Sequence, residues 1–220
     1  MRVYHFLPAK WALDDLENKR LKIATFDDLN DPFELFVFNV SNPVLRRALK
    51  MTKEHTAGET GFLCFSRNWK NPLLWSHYAD KHRGVCLGFD IQADVKPVNY
   101  TEKRLEINLN SFEALPQEEQ LKRMKQLLLT KYLGWAYEDE VRAHTSLEER
   151  DTSTGLYYFE FGENLKLKEI IAGPLCSVEN RKKIKEAIGR CSETVEVIQA
   201  RLAFRSFDVV RDKRGFRTAQ

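Results

Sequence analysis

The chain has 220 residues, 43% of them hydrophobic, and 35 Lys and Arg against 32 Asp and Glu for a net charge of +3. That is enough apolar material for one well-filled core, and so small a net charge neither demands nor excludes an anionic partner such as a nucleotide or nucleic acid. No stretch approaches the roughly 18 apolar residues of a membrane span, Met1-Arg2-Val3-Tyr4-His5 starts no signal-type apolar run, and Cys64, Cys86, Cys176 and Cys191 show no C-x-x-C pairing, so the expectation is a cytoplasmic protein with buried, reduced thiols.

Residues 3–7 read as a strand ended by Pro8, and 9–18 as a helix with Ala12, Leu13 and Leu16 on one stripe. Residues 21–25 alternate as a strand. Asn30-Asp31-Pro32 is a turn, because proline forces Asp31 out of the α region and Asn and Asp side chains bond local backbone; Phe33 is expected to anchor it in the core. Residues 42–57 read as an amphipathic helix and 62–66 as a buried strand. Asn71 as cap, Pro72 at the first position and Gly84 past the end define a helix over 72–83. On it Trp75, Tyr78, Ala79 and His82 share a stripe, while His77 lies nearer Leu74 and Lys81. Residues 85–89 form the next strand, giving a strand, helix, strand unit that suits a parallel or mixed sheet and leaves an antiparallel one open.

Residues 96–101 read as an edge strand, and 117–132 as a long helix with Leu121, Met124, Leu127 and Leu128 on its apolar face. From Trp135 to His144 the period changes from helical to alternating, which puts Glu138, Glu140, Arg142 and His144 on one strand face, opposite Trp135, Tyr137 and Val141. Further strands are expected at 156–161, 167–172, 195–198 and 202–210, with a helix capped by Ser177 running to 188. The sum is an α+β fold, a single compact domain over 1–210 with a mixed central sheet and flanking helices, followed by a basic tail at 211–220 carrying Arg211, Lys213, Arg214 and Arg217.

The run Trp75-Ser76-His77-Tyr78 sets an indole, an imidazole and a phenol within four positions, a mixture that packing alone does not require. Trp75 is the member best suited to packing; His77 and Tyr78 carry polar groups that packing does not use. Glu138 and Glu140 beside Arg142 read as a solvated, ion-paired strand face or as a functional cluster. His5 reads as a hydrogen-bonded core histidine or a ligand contact, Ser66 as the cap of the next turn, and Asn30 and Asp31 as turn formers that reach a ligand through the loop they shape. His77, His82, His144, Asp80 and Glu140 lack metal-ligand spacing, Cys64 sits in an apolar strand where an inert thiol is expected, and no glycine-rich phosphate loop is present.

Taken together, Leu16-Glu17-Asn18, Leu21-Lys22-Ile23-Ala24, Asn30-Asp31-Pro32-Phe33-Glu34, Cys64-Phe65-Ser66, Leu74-Trp75-Ser76-His77-Tyr78-Ala79, Gly84-Val85-Cys86-Leu87-Gly88-Phe89 and Tyr137-Glu138-Asp139-Glu140-Val141-Arg142 resemble the bacterial and phage family known as domain of unknown function 2971, over most of residues 3–175. The order of polar residues is also similar to the split active site of ADP-ribosyltransferase-like proteins: His5 on a first strand, Ser66 ending a later one, Tyr78 on the helix behind it and Glu140 opening a further strand. This second resemblance implies a split sheet with NAD as substrate, bound by His5, Ser66, Trp75, Arg142, Asn30 and Asp31, with Glu140, His77 and Tyr78 catalytic and no metal. Glu140 would stabilise positive charge developing at the sugar, Tyr78 or Trp75 would stack on a base, and Arg142 and Arg2 would neutralise the pyrophosphate. The implied outcome is ADP-ribosyl transfer to a nucleic acid or protein, or NAD hydrolysis, in phage defence or as a toxin. The alternative is a non-catalytic module that binds nucleotide or nucleic acid through the same Trp75, Tyr78 and Arg142 surface.

Overall fold

The first strand of the chain, β1 (Arg2–Leu7), lies in the middle of the sheet. The computed structural model describes residues 1–33, 37–106, 114–189 and 194–218; Glu34 and Cys191, and the side chains of Leu121 and Met124, lie outside the described residues. After β1 come α1 (Ala9–Asn18), β2 (Arg20–Lys22), α2 (Pro43–Ala57), β3 (Thr60–Ser66), α3 (Pro72–Tyr78) and β4 (Val85–Ile91). They are followed by β5 (Val95–Pro97), β6 (Asn99–Thr101), α4 (Gln117–Leu128), β7 (Thr130–Tyr132) and β8 (Glu140–Ser146). The last elements are β9 (Tyr158–Glu160), β10 (Leu165–Ala172), α5 (Val178–Ile188), β11 (Glu196–Leu202) and β12 (Val209–Arg211).

Among the described residues the main sheet runs β12-β11-β10-β4-β1-β3-β8-β5, with β10 and β11 parallel and the other neighbours antiparallel. The fold is thus mixed α/β, one domain with helices flanking a mixed sheet. β3 and β4, on either side of α3 in sequence, flank β1 and run parallel to each other. β1 pairs with β4 from Arg2↔Asp90 to Leu7↔Val85, and β3 with β8 from Thr60↔Ser146 to Ser66↔Glu140. Between β1 and β3 the register holds a single pair, Tyr4↔Ser66, beyond which the strands diverge and the sheet forks.

Alternation along the strands divides the core. Val3, Leu7, Phe65, Leu87, Phe89 and Val141 pack with Ala12 and Leu16 of α1 and Ile184 of α5 on one face. On the other face Phe6, Cys86, Ile171 and Val209 are covered by Leu74 and Trp75 of α3, while Phe62 joins Phe26, Leu45, Leu49 and Leu127 in a further cluster beneath α2 and α4.

Several expectations change; among them, the strand expected over 202–210 is broken, with β11 ending at Leu202 and β12 starting at Val209. Asn71 caps α3, accepting from the Leu73 N–H at 3.0 Å, but the helix ends at Tyr78 and not at 83. Asp80, Lys81 and His82 take left-handed φ values of 43°, 51° and 70°, and the His82 and Gly84 N–H groups bond back to Trp75 and Ala79. The cause is the strand that follows: a Cβ on Gly84 would lie 2.3 Å from the Leu7 carbonyl oxygen, so the chain must leave the helix to begin pairing with β1. His82 therefore drops out of the Trp75 and Tyr78 stripe. The helix expected over 117–132 stops at Leu128, where the Thr130 hydroxyl donates to the Gln126 carbonyl at 2.7 Å and residues 130–132 pair in parallel with β6. Trp135 to Glu138, expected in a strand, lie in a 3₁₀ turn, Leu133–Glu138, closed by Asp139 in the left-handed conformation, and the strand starts at Glu140.

Phe33 is 52% exposed and does not anchor its turn; the buried residue there is Asp31, whose carboxylate accepts the Phe33 N–H at 2.9 Å. Arg211 closes β12, and the following Asp212 is buried and paired with Arg214 at 2.8 Å. No helix among the described residues is long and apolar enough to cross a membrane.

Two stability predictions arise from this packing. Gly84→Ala is expected to cost about 1–3 kcal/mol in urea unfolding, because the added methyl meets backbone that cannot yield. Asp15 of α1 is buried, and burial, reinforced by Asp14, pushes its carboxyl up to about 7. Between about pH 4 and that value the folded state keeps a proton that the unfolded chain has released, so this contribution is lost as pH rises through the window. Asp15→Asn is expected to raise the urea midpoint near pH 8 and hardly move it near pH 4; equal effects at both would refute this assignment.

Candidate functional site

A cleft of about 210 Å³ opens at the fork between β1 and β3. Tyr4, His5 and Phe6 line one side and Cys64, Phe65 and Ser66 the other. His5 occupies the gap left by the missing ladder: its Nδ1 lies 3.0 Å from the Cys64 carbonyl oxygen. A carbonyl only accepts, so Nδ1 carries the proton, and burial, outweighing that bond, holds the imidazole pKa below its ordinary value. The ring is neutral and presents Nε2 as an acceptor.

The polar end of the cleft is a buried ion cluster. Lys131 of β7, Glu138 of the 3₁₀ turn, and Glu140 and Arg142 of β8 are each no more than 6% exposed. Lys131 Nζ lies 2.6 Å from Glu138 Oε2 and 3.3 Å from Glu140 Oε2. Arg142 grips Glu140 through Nε at 2.7 Å and Nη2 at 3.1 Å, and its Nη1 donates to the Leu128 carbonyl at 2.8 Å. The Glu140 N–H donates to the Tyr100 hydroxyl at 2.9 Å. The Tyr78 hydroxyl donates to Glu138 and accepts from the Asn30 amide, which ties α3 and the 30–32 turn to the cluster.

The balance of burial against these contacts moves the two carboxyl groups in opposite directions. Burial raises Glu138, and the bonds from Lys131 and Tyr78 offset it only in part. Burial would raise Glu140 as well, yet Arg142 and then Lys131 outweigh it and hold the group below its ordinary value. A proton entering the cluster therefore resides on Glu138, while Glu140 stays anionic. Burial and then Glu138 push the Tyr78 phenol up, so it remains a donor. Burial raises the Cys64 thiol in the same way, and it stays protonated beside Glu140.

Of the residues singled out by sequence, His5, Ser66, Tyr78, Glu140, Arg142 and Asn30 line this one cleft. Ser66 does so while closing a turn, its hydroxyl donating to the Asn68 carbonyl at 2.9 Å. Trp75, His77 and Asp31 are elsewhere. Trp75 is wholly buried, its Nε1 donating to the Trp69 carbonyl at 2.6 Å and its ring set edge-on to Phe6 at 5.2 Å, so it offers a ligand no face. His77 is exposed and sits among Tyr137 and Trp135, with ring centroids 5.7 and 6.3 Å away. Arg2 is occupied by Asp90 and Glu169 at 2.8 and 2.7 Å and does not line the cleft.

Glu140 and Arg142 do not form a solvated face; both are buried, and of the strand residues on that side it is His144 that is exposed. Lys131 was not singled out, because a lysine at the end of a polar helix reads as solvent-facing. The available signal was Thr130-Lys131-Tyr132, a β-forming triplet that breaks the helical run. Among the described residues no group of three or more His, Cys, Asp or Glu is placed to hold a metal ion.

Fold and site define a mixed α/β domain with a cleft at a fork in its sheet. Residues 74–143 match the family model described as Protein of unknown function (DUF2971). The matched stretch supplies Tyr78, Lys131, Glu138, Glu140 and Arg142 to the cleft. No curated protein and no solved structure matches the chain.

Removing one member of a buried ion cluster leaves its partners uncompensated. Lys131→Met is expected to cost about 3–5 kcal/mol at neutral pH by urea unfolding. The loss should shrink toward pH 5, as Glu138, freed of its cation, takes a proton in the folded state. A loss that grows on acidification would overturn the account of the cluster.

Proposed function

We propose that the cleft binds NAD and that Glu140 and Glu138 act on its nicotinamide–ribose bond, transferring ADP-ribose to a macromolecule or to water. The observation that carries this reading is convergence: His5, Ser66, Tyr78 and Glu140, distant in sequence, line one cleft at the point where the sheet forks. Its size suits one end of the substrate. A cavity of 210 Å³ is smaller than the roughly 300–1,000 Å³ of sites that enclose whole ligands, so the nicotinamide riboside end enters and the adenosine end stays toward solvent. Phe6, Leu29 and Leu74 supply apolar wall for the ring.

The split in carboxyl behaviour assigns the roles. Glu140, kept anionic by Arg142 and Lys131, faces the positive charge that develops at the anomeric carbon as the glycosidic electron pair leaves with the nicotinamide nitrogen. Glu138 takes the proton released by the attacking hydroxyl or water. Tyr78 borders the ring position, its orientation set by Asn30 and Glu138. The free Cys86 and Cys176 suit a cytoplasmic setting, and a role in phage defence or as a toxin accords with such chemistry.

The bonds that occupy both Glu140 oxygens favour a second reading, nucleotide binding without turnover. The readings separate in one experiment. With NAD as substrate, thermal stabilisation and nicotinamide release are expected from the native protein. Glu140→Gln should keep the stabilisation and lose about 100-fold or more of the release. Stabilisation without release in the native protein selects the binding module, and the absence of both ends the NAD assignment.

A further inference from the structure

The loop between β11 and β12 carries the most exposed large apolar side chains among the described residues, Phe204 at 89% and Phe207 at 96%. Rings left so bare mark a surface that meets a partner. Their surroundings are cationic. A groove of about 520 Å³ beside the loop has Lys70, Arg201, Arg205, Arg211 and Lys213 in its wall and no carboxylate. Arg201 lies over the Phe204 ring at 4.4 Å, and Arg211 pairs with Glu196. Lys70, Arg205 and Lys213 have no carboxylate partner among the described residues. Asp208, the acid of the loop, accepts from the Ser206 hydroxyl at 2.6 Å and is not in the wall. Phe204 and half-buried Trp69 stand in the wall itself, and Phe207 lies on the adjoining loop outside it.

We propose that this groove binds single-stranded nucleic acid, with phosphates along the five cations and bases stacked on Phe204, Phe207 and Trp69. The charge calls for a polyanion in place of an apolar peptide. Rings interleaved with cations suit unpaired bases, whose faces are open, over a duplex whose bases are already stacked. A groove walled by cations also fits a strand better than it fits the plane of a lipid headgroup layer. The loop joining β3 to α3 links cleft and groove: Ser66 lines the cleft and Trp69 the groove, three residues apart and so at most about 11 Å along the chain. A strand in the groove passes within reach of the cleft, although its binding does not depend on chemistry there.

The test is fluorescence anisotropy with labelled single strands of about 12 nucleotides, DNA and RNA in parallel, from about 50 to about 200 mM salt. The native protein should bind with a log–log salt slope near −3.5, about 0.7 per phosphate contact. Phe204→Ala/Phe207→Ala should weaken binding about fivefold or more and leave the slope alone. Arg205→Gln/Lys213→Gln should flatten the slope by about 1.4. These side chains are exposed, so an unchanged thermal midpoint shows that the variants fold. Binding in either arm supports the proposal, and the tighter arm names the nucleic acid. It is overturned by no binding at low salt, by binding that neither pair of substitutions alters, or by phosphatidylserine vesicles capturing the protein while both oligonucleotides are ignored.

Discussion

Bringing Lys131, Glu138, Glu140 and Arg142 out of water together is the constraint on which the cleft is built. Each ion loses several kcal/mol of hydration, and the mutual attraction balances that loss only where donors and acceptors meet in good geometry. Three elements are fixed by that requirement. β7 must present Lys131 inward, the 3₁₀ turn must deliver Glu138, and β8 must begin where Glu140 faces Arg142. A helix carried on to residue 132 would rotate Lys131 off this position, so its end at Leu128 and the parallel pairing of β6 with β7 belong to the same solution. Tyr78 and Asn30 extend the cluster to the far wall.

The fork puts this polarity to use. Where β1 leaves β3, a continuous sheet would have continued its ladder; here one imidazole bond to the Cys64 carbonyl replaces it. The result is a slot whose sides are strand edges and whose end is ionic. An exposed edge at a sheet margin invites unwanted pairing, whereas this internal one is enclosed by α3 and the 28–30 segment and remains open only to something small.

Much of the cleft lining was legible from residue types that simple packing does not require. His5 in an apolar strand and Tyr78 beside Trp75 stood at places that local periodicity assigns to the core, while Glu140 with Arg142 declared themselves as two opposite charges close together on one face of an alternating run. Trp75 did not behave like its neighbour, since the partner for its indole N–H is a backbone carbonyl that only the folded loop supplies. Lys131 was hidden for the opposite reason: its burial comes from pairing with residues about thirty positions earlier, which no window on the sequence contains. The strand order is non-local in the same sense. Strand segments were readable one by one, but nothing local says that the first lies between the third and the fourth. His82 shows the cost of that blindness, because the helix containing it is cut short by the approach of Gly84 to β1.

The central place of β1 also bears on how the molecule is made. Its neighbours are β4 and, at one residue pair, β3, so the segment has no sheet to join until synthesis has passed residue 91. The outer side of β4 is completed only by β10, much later. Val3, Phe6 and Leu7 thus belong to a strand closed in only after long delay. Such a topology folds slowly for its size and leaves the nascent chain open to misassociation over that interval, which makes occupancy of the first strand by a holding chaperone a matter of kinetics.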